Sequence, residues 1–159
     1  MYRVLYPLLY LKGNEVMKPE TKVKSALDHF MKAYEKKDVN GIINLFSNKP
    51  GVVFIGTGSD ERCLGLDKLK NQFERDFIQS EKVNVSQKWE TVSVLGQVAW
   101  LAAEVDFKTK IKGKSKEFLT RLSAVLENQD EQWRFIHMHI SLPPSEQKAG
   151  ESFPTCDLY

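Results

Sequence analysis

Residues 133–141 read Trp-Arg-Phe-Ile-His-Met-His-Ile-Ser, and similar side chains recur there at every second position. Alternation with a period of two is typical of a β-strand whose two faces meet different surroundings. The pattern predicts a strand at 132–142, with one mostly aliphatic face and one that combines aromatic rings with titratable groups. The mixed face carries Trp133, Phe135, His137, His139 and Ser141, and the aliphatic face carries Arg134, Ile136, Met138, Ile140 and Leu142.

Three segments before this strand share its period of two. They lie at 83–95, 97–108 and 116–128. The connections between the four segments are short, with Gly96 in the first and Gly113 in the second. Because connections of this length join antiparallel neighbours, the second half of the chain predicts a four-stranded antiparallel meander.

The first half of the chain has helical periodicity instead. Apolar residues recur three and four apart at 21–36 and at 66–77, and 39–46 predicts a shorter helix. Asp38 directly precedes the shorter helix, so we interpret it as a cap of the free helical amides rather than as a catalytic acid. A β-branched and aromatic run at 52–55 predicts one short strand.

Helices followed by an antiparallel meander indicate an α+β fold, because both kinds of element can then bury their apolar sides against each other. We predict a cone-like curved antiparallel sheet packed on three N-terminal helices. A sheet curved around the first helix leaves its wider end incompletely filled, and ligands usually bind in such mouths. Parallel α/β architecture is disfavoured by the order of the elements.

The predicted domain covers 19–143, between a flexible N-terminal arm at 1–18 and a polar C-terminal tail at 144–159. Met17 begins a more typical start than Met1, so residues 1–16 are either a disordered arm or an over-extended start. The apolar stretch at the beginning is too short to span a membrane. The two cysteines, Cys63 and Cys156, are interpreted as reduced thiols in a cytoplasmic protein.

Charge is nearly balanced, with 23 Lys and Arg against 21 Asp and Glu in 159 residues. A balanced chain has no general positive field to gather polyanions, so we predict no nucleic-acid partner. Lysines do cluster at 108–116, but Gly113 lies in the middle of the cluster. We therefore interpret this segment as an exposed hairpin tip rather than as a phosphate-binding patch.

Three strings in this order resemble the SnoaL-like group of the nuclear transport factor 2-like superfamily, which is similar to the association domain of calcium/calmodulin-dependent protein kinase II. They are Tyr-Glu-Lys-Lys-Asp at 34–38, Val-Phe-Ile-Gly-Thr-Gly at 53–58 and the strand at 133–141. The resemblance covers about 20–143. It implies a homodimer or larger ring formed through the outer face of the sheet, and a pocket between the sheet and the helices. It also implies that Arg121 matches a strand arginine that faces the cavity in the kinase association domain.

The two histidines of the last strand are the first candidates for chemistry. His137 and His139 project from the same side of the strand, so neutral imidazoles could exchange protons with a bound ligand beside Ser141. We name both as candidate catalytic residues and all three as candidate ligand contacts. The structural alternative is that the histidines hold the end of the strand through hydrogen bonds. No third ligand at suitable spacing accompanies them, so no metal site and no cofactor are predicted.

Four further side chains complete the candidate ligand contacts, and Glu104 is a separate candidate for chemistry. Arg121 shares a strand face with Ser123, and a guanidinium on a half-buried face needs either an anionic ligand or a neighbouring carboxylate such as Glu104. Trp100 and Tyr34 are the aromatic candidates, although Tyr34 on an amphipathic helix can also be buried for packing alone. Glu104 is either a buried general base or a solvated rim residue.

These features lead to one principal hypothesis and two alternatives. The principal hypothesis is a homodimeric domain that binds a small organic molecule, with a carboxylate as one candidate ligand because of Arg121. The first alternative is an acid/base isomerase, cyclase or lyase that acts on a small organic acid or ketone. The second is an oligomerisation module. Fold alone does not decide among them, because one fold hosts all three functions.

Overall fold

Three helices bury their apolar faces against one sheet in the computed structural model, which describes residues 17–153. They are α1 (Pro19–Glu35), α2 (Val39–Ile43) and α3 (Leu66–Gln79). The carboxylate of Asp38 accepts a hydrogen bond from the backbone N–H of Gly41 at 2.8 Å, which confirms the predicted cap of α2. The predicted arm up to residue 16 and the tail from 154, with Cys156, lie outside the described residues.

The sheet has six strands in the order β2-β1-β6-β5-β4-β3. Their bounds are β1 (Val53–Ile55), β2 (Arg62–Leu64), β3 (Lys82–Leu95), β4 (Val98–Ile111), β5 (Lys114–Gln129) and β6 (Gln132–Ser141). The last four strands form the predicted antiparallel meander. Strand β1 runs parallel to β6, so the curved sheet is mixed rather than purely antiparallel. The short strand β2 was not predicted, because three residues are too few to display a period.

One face of the sheet, the inner face, is covered by α1 and α3 and forms the core. Its fully buried side chains include Leu101, Leu122, Leu126 and Phe135. The opposite face, which we call the outer face, is not covered by any helix of the described chain, and it exposes several large apolar side chains. These are Trp89, Leu95, Val98, Trp100 and Leu119. The α+β class with three helices packed on a curved sheet is confirmed.

A bulge in β6 decides which side chains face the core. Leu126 pairs with Phe135 while its neighbour Val125 pairs with His137, so Ile136 is an additional residue on β6. An additional residue reverses the alternation of every side chain that follows it. Phe135 is therefore buried before the bulge, and Met138 is buried after it.

The lysine-rich segment is the hairpin between β4 and β5, as predicted. Ile111 pairs with Lys114, which leaves Lys112 and Gly113 as the turn, with φ values of 48° and 75°. Two consecutive residues with positive φ are typical of a type I′ turn, for which glycine is favoured. Glu81 supports the turn, since its carboxylate accepts the Gly113 N–H at 2.7 Å.

Candidate ligand-binding site

A cavity of about 180 Å³ lies between the inner face of the sheet and helices α1 and α3. All the strands except β2, together with both helices and the loop that follows β1, contribute to its wall. Aromatic and aliphatic side chains make up about half of the lining residues, and most of the others are polar. Apolar surface with placed polar groups is usual in small-molecule sites. The lining side chains include Tyr34, Phe54, Glu61, Phe73, Asp76, Phe107, Thr109, Phe118 and Thr120.

Aromatic rings hold Tyr34 of α1 in place at the cavity. Its ring packs edge-on against Phe73 of α3 at a centroid distance of 6.0 Å and against Phe107 of β4 at 5.5 Å. Phe77, one helical turn after Phe73, contacts it at 5.0 Å. Edge-to-face pairs of this kind add to the energy of burial and fix the direction of the phenol hydroxyl.

Asp76 of α3 receives that hydroxyl. Tyr34 Oη donates to Asp76 Oδ2 at 3.1 Å, and Gln72 Nε2, one turn earlier on the same helix, donates to Asp76 Oδ1 at 2.8 Å. Both carboxylate oxygens therefore have a neutral donor. Each oxygen has further acceptor capacity, so a ligand in the cavity can also donate to Asp76.

Burial raises the pKa of the Asp76 carboxyl to about 6, because the cavity wall solvates the charged form poorly. The hydrogen bond from Tyr34 opposes this shift, and the negative charge of Glu61 adds to it. Burial also raises the pKa of Tyr34, and the neighbouring Asp76 raises it further. At neutral pH the pair thus consists of a neutral phenol and a carboxylate that can take up a proton under mildly acidic conditions.

Arg75 orients the Gln72 amide that donates to Asp76. Its Nη2 donates to Gln72 Oε1 at 2.8 Å and to Glu61 Oε1 at 3.3 Å, and its Nη1 donates to Asp60 Oδ2 at 2.6 Å. Because the amide oxygen of Gln72 is occupied by Arg75, its NH₂ group faces Asp76. Arg75 therefore fixes the Gln72 donor without entering the cavity itself.

Two threonines supply the other polar groups of the sheet wall. Thr120 Oγ1 donates to the carbonyl oxygen of Val105 at 2.9 Å. Thr109 is only 8% exposed, and its Oγ1 has no hydrogen-bond partner in the described part of the chain. A buried hydroxyl without a partner is uncommon in native proteins and calls for an occupant of the adjoining space.

Six of the seven side chains predicted as ligand contacts lie on the outer face instead. A groove of about 290 Å³ there is lined by Arg121, Ser123, His139 and Ser141, together with Glu104 and Trp89. Arg121 lies opposite Glu104 on one side and opposite Ser141 on the other. Trp100 and His137 lie on the same face, each opposite Val125. Only Tyr34 lines the inner cavity.

The orientation of the histidines differs from the prediction because of Ile136. Strict alternation from Phe135 would place His137 and His139 on the core side, and the additional residue turns both to the outer face. Burial lowers the pKa of His137, and the neighbouring His139 lowers it further. The role of the outer-face residues in ligand binding or catalysis stays a prediction, and it now refers to a different surface from the cavity.

Asp76 is the main residue that the sequence analysis missed. A signal was present, because Gln72 and Asp76 are spaced like the apolar residues Leu69, Phe73 and Phe77 of α3 and border the same helix face. Polar side chains that border a buried stripe need partners and often belong to a site. Thr109 gave no comparable signal, since threonine is common on strands.

Between residues 17 and 153, no group of three or more His, Cys, Asp or Glu side chains is placed to hold a metal ion. In that same part of the chain, none of the helices combines the length and the apolar character needed to cross a bilayer.

Comparison with known proteins gives the family. Residues 23–145 match the family described as the SnoaL-like domain. A solved structure from Xanthomonas campestris, described as a proposed calcium/calmodulin-dependent protein kinase II association domain, is 25% identical with a TM-score of 0.70. The match covers 78% of this chain and 87% of that chain. The comparison with curated proteins found no match.

Two more distant structures show the same fold. A nuclear transport factor 2-like superfamily protein from Salmonella enterica serovar Typhimurium is 18% identical, with a TM-score of 0.74 and coverage of 84% of this chain and 96% of that chain. A proposed dehydratase of that family from Streptomyces avermitilis is 16% identical, with a TM-score of 0.72 and coverage of 79% and 96%. The family match spans most of the sequence and agrees with the observed architecture, which is the nuclear transport factor 2-like fold, and the protein therefore belongs to the SnoaL-like domain family.

Proposed function

We propose that this protein binds a small organic molecule in the cavity between the inner face and helices α1 and α3, with Asp76 as the group that meets the polar end of the ligand. The observation that carries the proposal is the Tyr34–Asp76 pair, which joins two helices at the cavity wall. A partly buried carboxylate costs free energy unless it has partners. A protein that keeps one beside a cavity gains most if a ligand completes its hydrogen bonds.

The size of the cavity limits the ligand. At about 180 Å³ it is smaller than the pockets of roughly 300–1,000 Å³ that enclose drug-sized molecules. The ligand is therefore a small compound, with an apolar part against Phe73 and Phe107 and a polar part against Asp76.

The same pair supports a second function, acid/base catalysis of the isomerase, cyclase or lyase type. A general base is most effective when its pKa lies near the working pH, and the pKa of Asp76 is raised to about 6. Tyr34 positions the carboxylate. In this second function Asp76 is the general base, instead of His137 or His139, which the sequence analysis named.

A homodimer formed through the outer face is part of the proposal. The exposed Trp89 and Trp100 support it, because aromatic side chains are enriched where protein surfaces associate. The described relative from Xanthomonas campestris, a proposed association domain, adds support. An oligomerisation module without a ligand is the remaining alternative, and it would leave the inner cavity without a role.

A thermal-shift screen with small ring compounds tests ligand binding. Binding to the native state raises the melting temperature, so compounds that stabilise the wild type and Glu74→Gln but not Asp76→Asn would support the cavity site. Glu74 is the matched control, because it lies exposed on the same helix as Asp76.

A third variant, Arg121→Ala, examines the outer groove. Stabilisation that Arg121→Ala abolishes and Asp76→Asn preserves would contradict the cavity site and favour the outer groove. A turnover that Asp76→Asn removes, with the fold retained, would identify an enzyme.

A further inference from the structure

We propose that the cavity takes a small organic cation, a protonated amine whose ammonium group contacts Asp76. This inference rests on the proposed function, and it adds the charge of the ligand. Its basis is the composition of the wall, in which carboxylates and aromatic rings occur together without a basic side chain among the described residues.

The charges of the wall are all of one sign. Asp76 and Glu61 are its charged side chains, and the part of the chain at 17–153 places no Lys, Arg or His in it. Glu61 already has cationic and backbone partners, namely Arg75 at 3.3 Å and the Gly58 N–H at 2.9 Å. Asp76 receives hydrogen bonds only from the neutral groups of Tyr34 and Gln72. Asp76 is therefore the carboxylate with which a cationic ligand would form an ion pair, since buried charges are normally paired.

The aromatic part of the wall suits a cation equally well. Five aromatic side chains line the cavity: Tyr34, Phe54, Phe73, Phe107 and Phe118. The face of an aromatic ring carries negative electrostatic potential and attracts ammonium groups, and rings around a cation form the usual cage for such ligands. A neutral ligand would use the rings only as apolar surface.

Thr109 provides an independent indication that a hydrogen-bonding ligand belongs here. Its hydroxyl lines the cavity, its residue is 8% exposed, and Oγ1 has no partner among the described residues. A primary ammonium has three N–H donors, so it has enough donors for both the Asp76 carboxylate and the Thr109 hydroxyl, which line the same cavity. The orphan hydroxyl and the carboxylate would then be completed by the same ligand.

An anionic ligand meets the opposite situation. A carboxylate in this cavity would face two acidic side chains without a cation in the wall. The carboxylate ligand that the sequence suggested depended on Arg121, which lies on the outer face. Repulsion between like charges at low dielectric makes the inner cavity unsuitable for such a compound.

Three compounds that share one aromatic ring but differ in charge test the inference. They are benzylamine, which is a cation, benzyl alcohol, which is neutral, and benzoate, which is an anion. Their binding to the full chain is measured by calorimetry at neutral pH, where the amine is protonated. We expect benzylamine to bind at least about tenfold more tightly than benzyl alcohol, because the ammonium adds charge–charge attraction to Asp76 that the neutral hydroxyl lacks. Benzoate is expected to bind more weakly than either.

Variants separate the contributions of the wall. Asp76→Asn should bring the affinities for benzylamine and benzyl alcohol to within a few-fold of each other, whereas the control Glu74→Gln should leave their ratio unchanged. Thr109→Val, which keeps the shape of the side chain, should weaken benzylamine and leave the melting temperature of the free protein close to that of the wild type.

The proposal of a cationic ligand is overturned if benzyl alcohol or benzoate binds as tightly as benzylamine or more tightly. If ring protons of Phe73 and Phe107 shift in the NMR spectrum during that binding, the cavity remains the ligand site and only the charge assignment is wrong. If neither these three compounds nor the small ring compounds of the thermal-shift screen perturb those rings, the proposed function fails together with the inference.

Discussion

The phenol oxygen of Tyr34 lies 3.1 Å from Asp76 Oδ2, although the two residues are 42 positions apart and belong to different helices. This contact ties the C-terminal part of α1 to the C-terminal part of α3 at the cavity. It also places a titratable group with a raised pKa where a ligand would meet it. Several measurable properties of the protein depend on this pair.

Replacing Asp76 by Asn should change how stability depends on pH. The pKa of Asp76 is raised from its ordinary value to about 6 in the folded protein, so the folded state binds its proton more tightly than the unfolded state. Protonated Asp76 contributes fully to the free energy of unfolding below about pH 4, and this contribution is lost as the pH rises through about 6. The loss lowers the free energy of unfolding by at most on the order of 3 kcal/mol. Asp76→Asn should remove this loss.

Urea unfolding between about pH 4 and about pH 8 measures the effect. Glu74→Gln serves as the control, because it removes one carboxylate from the exposed side of the same helix. If the free energy of unfolding of Asp76→Asn falls across this range as steeply as that of the wild type, Asp76 is not the group responsible.

Replacing Tyr34 by Phe should raise the pKa of Asp76 above its value in the wild type. The hydrogen bond from Tyr34 stabilises the ionised carboxylate and opposes the effect of burial, so its removal leaves burial less compensated. The aromatic packing with Phe73 and Phe107 is retained, and the cost in stability should be about 1–2 kcal/mol. Titration of the Asp76 carboxyl carbon by NMR measures the shift, and a lowered pKa would contradict the assigned donor.

Most of the architecture could be predicted from local patterns. Apolar residues three and four apart in α1 and α3 indicate helices, and the period of two after residue 80 indicates a meander, because each pattern reflects one buried face. Asp38 could be identified as a cap from its position alone. The pairing of β1 with β6 could not be predicted, since a parallel partner distant in sequence leaves no local trace.

The candidate site was predictable only in part, and Ile136 explains why. A period of two gives a reliable face only while the pairing is regular, and one additional residue inverts every later assignment. Tyr34 was identified as a candidate ligand contact because it lies on a helix, where an irregularity in strand pairing does not change which side chains face the core. Asp76 became meaningful only when α3 packed beside α1, because its partner Tyr34 is 42 positions away.

Replacing Trp100 by Glu should convert the proposed dimer into a monomer. Trp100 is 48% exposed on the outer face, where the core does not depend on it. A charge in an apolar interface must be desolvated without a partner, and this penalty opposes association. Ile78→Glu is the control, because Ile78 is 84% exposed on α3, away from the sheet. Light scattering after size exclusion measures the mass, and a Trp100→Glu dimer would exclude this interface.

Acidification should weaken the same dimer through His137. Both imidazoles lie on the outer face, with His137 opposite Val125 and Val53, and His139 opposite Ser123 and Ile55. Burial lowers the pKa of His137 and so does His139, which means that the neutral form is favoured in the folded protein. Protonation below that pKa would place positive charges from both protomers in one interface.

The other charged side chains of this face do not cancel that effect. Glu104 lies opposite Arg121 in the register, and buried Asp106 pairs with Lys88 at 3.6 Å, so the acidic groups have basic neighbours. The dimer dissociation constant should therefore rise several-fold as the pH falls from about 6.5, the ordinary pKa of histidine, through the lowered pKa of His137. Analytical ultracentrifugation measures it.

The variant His137→Asn separates this effect from the titration of Asp76. Acidification favours the protonated form of Asp76 inside each protomer, so the free energy of unfolding of the monomer and the strength of the dimer should change in opposite directions. His137→Asn should keep the pH dependence of the monomer and lose that of the dimer. A dissociation constant that still rises on acidification in this variant would show that groups other than His137 control the interface.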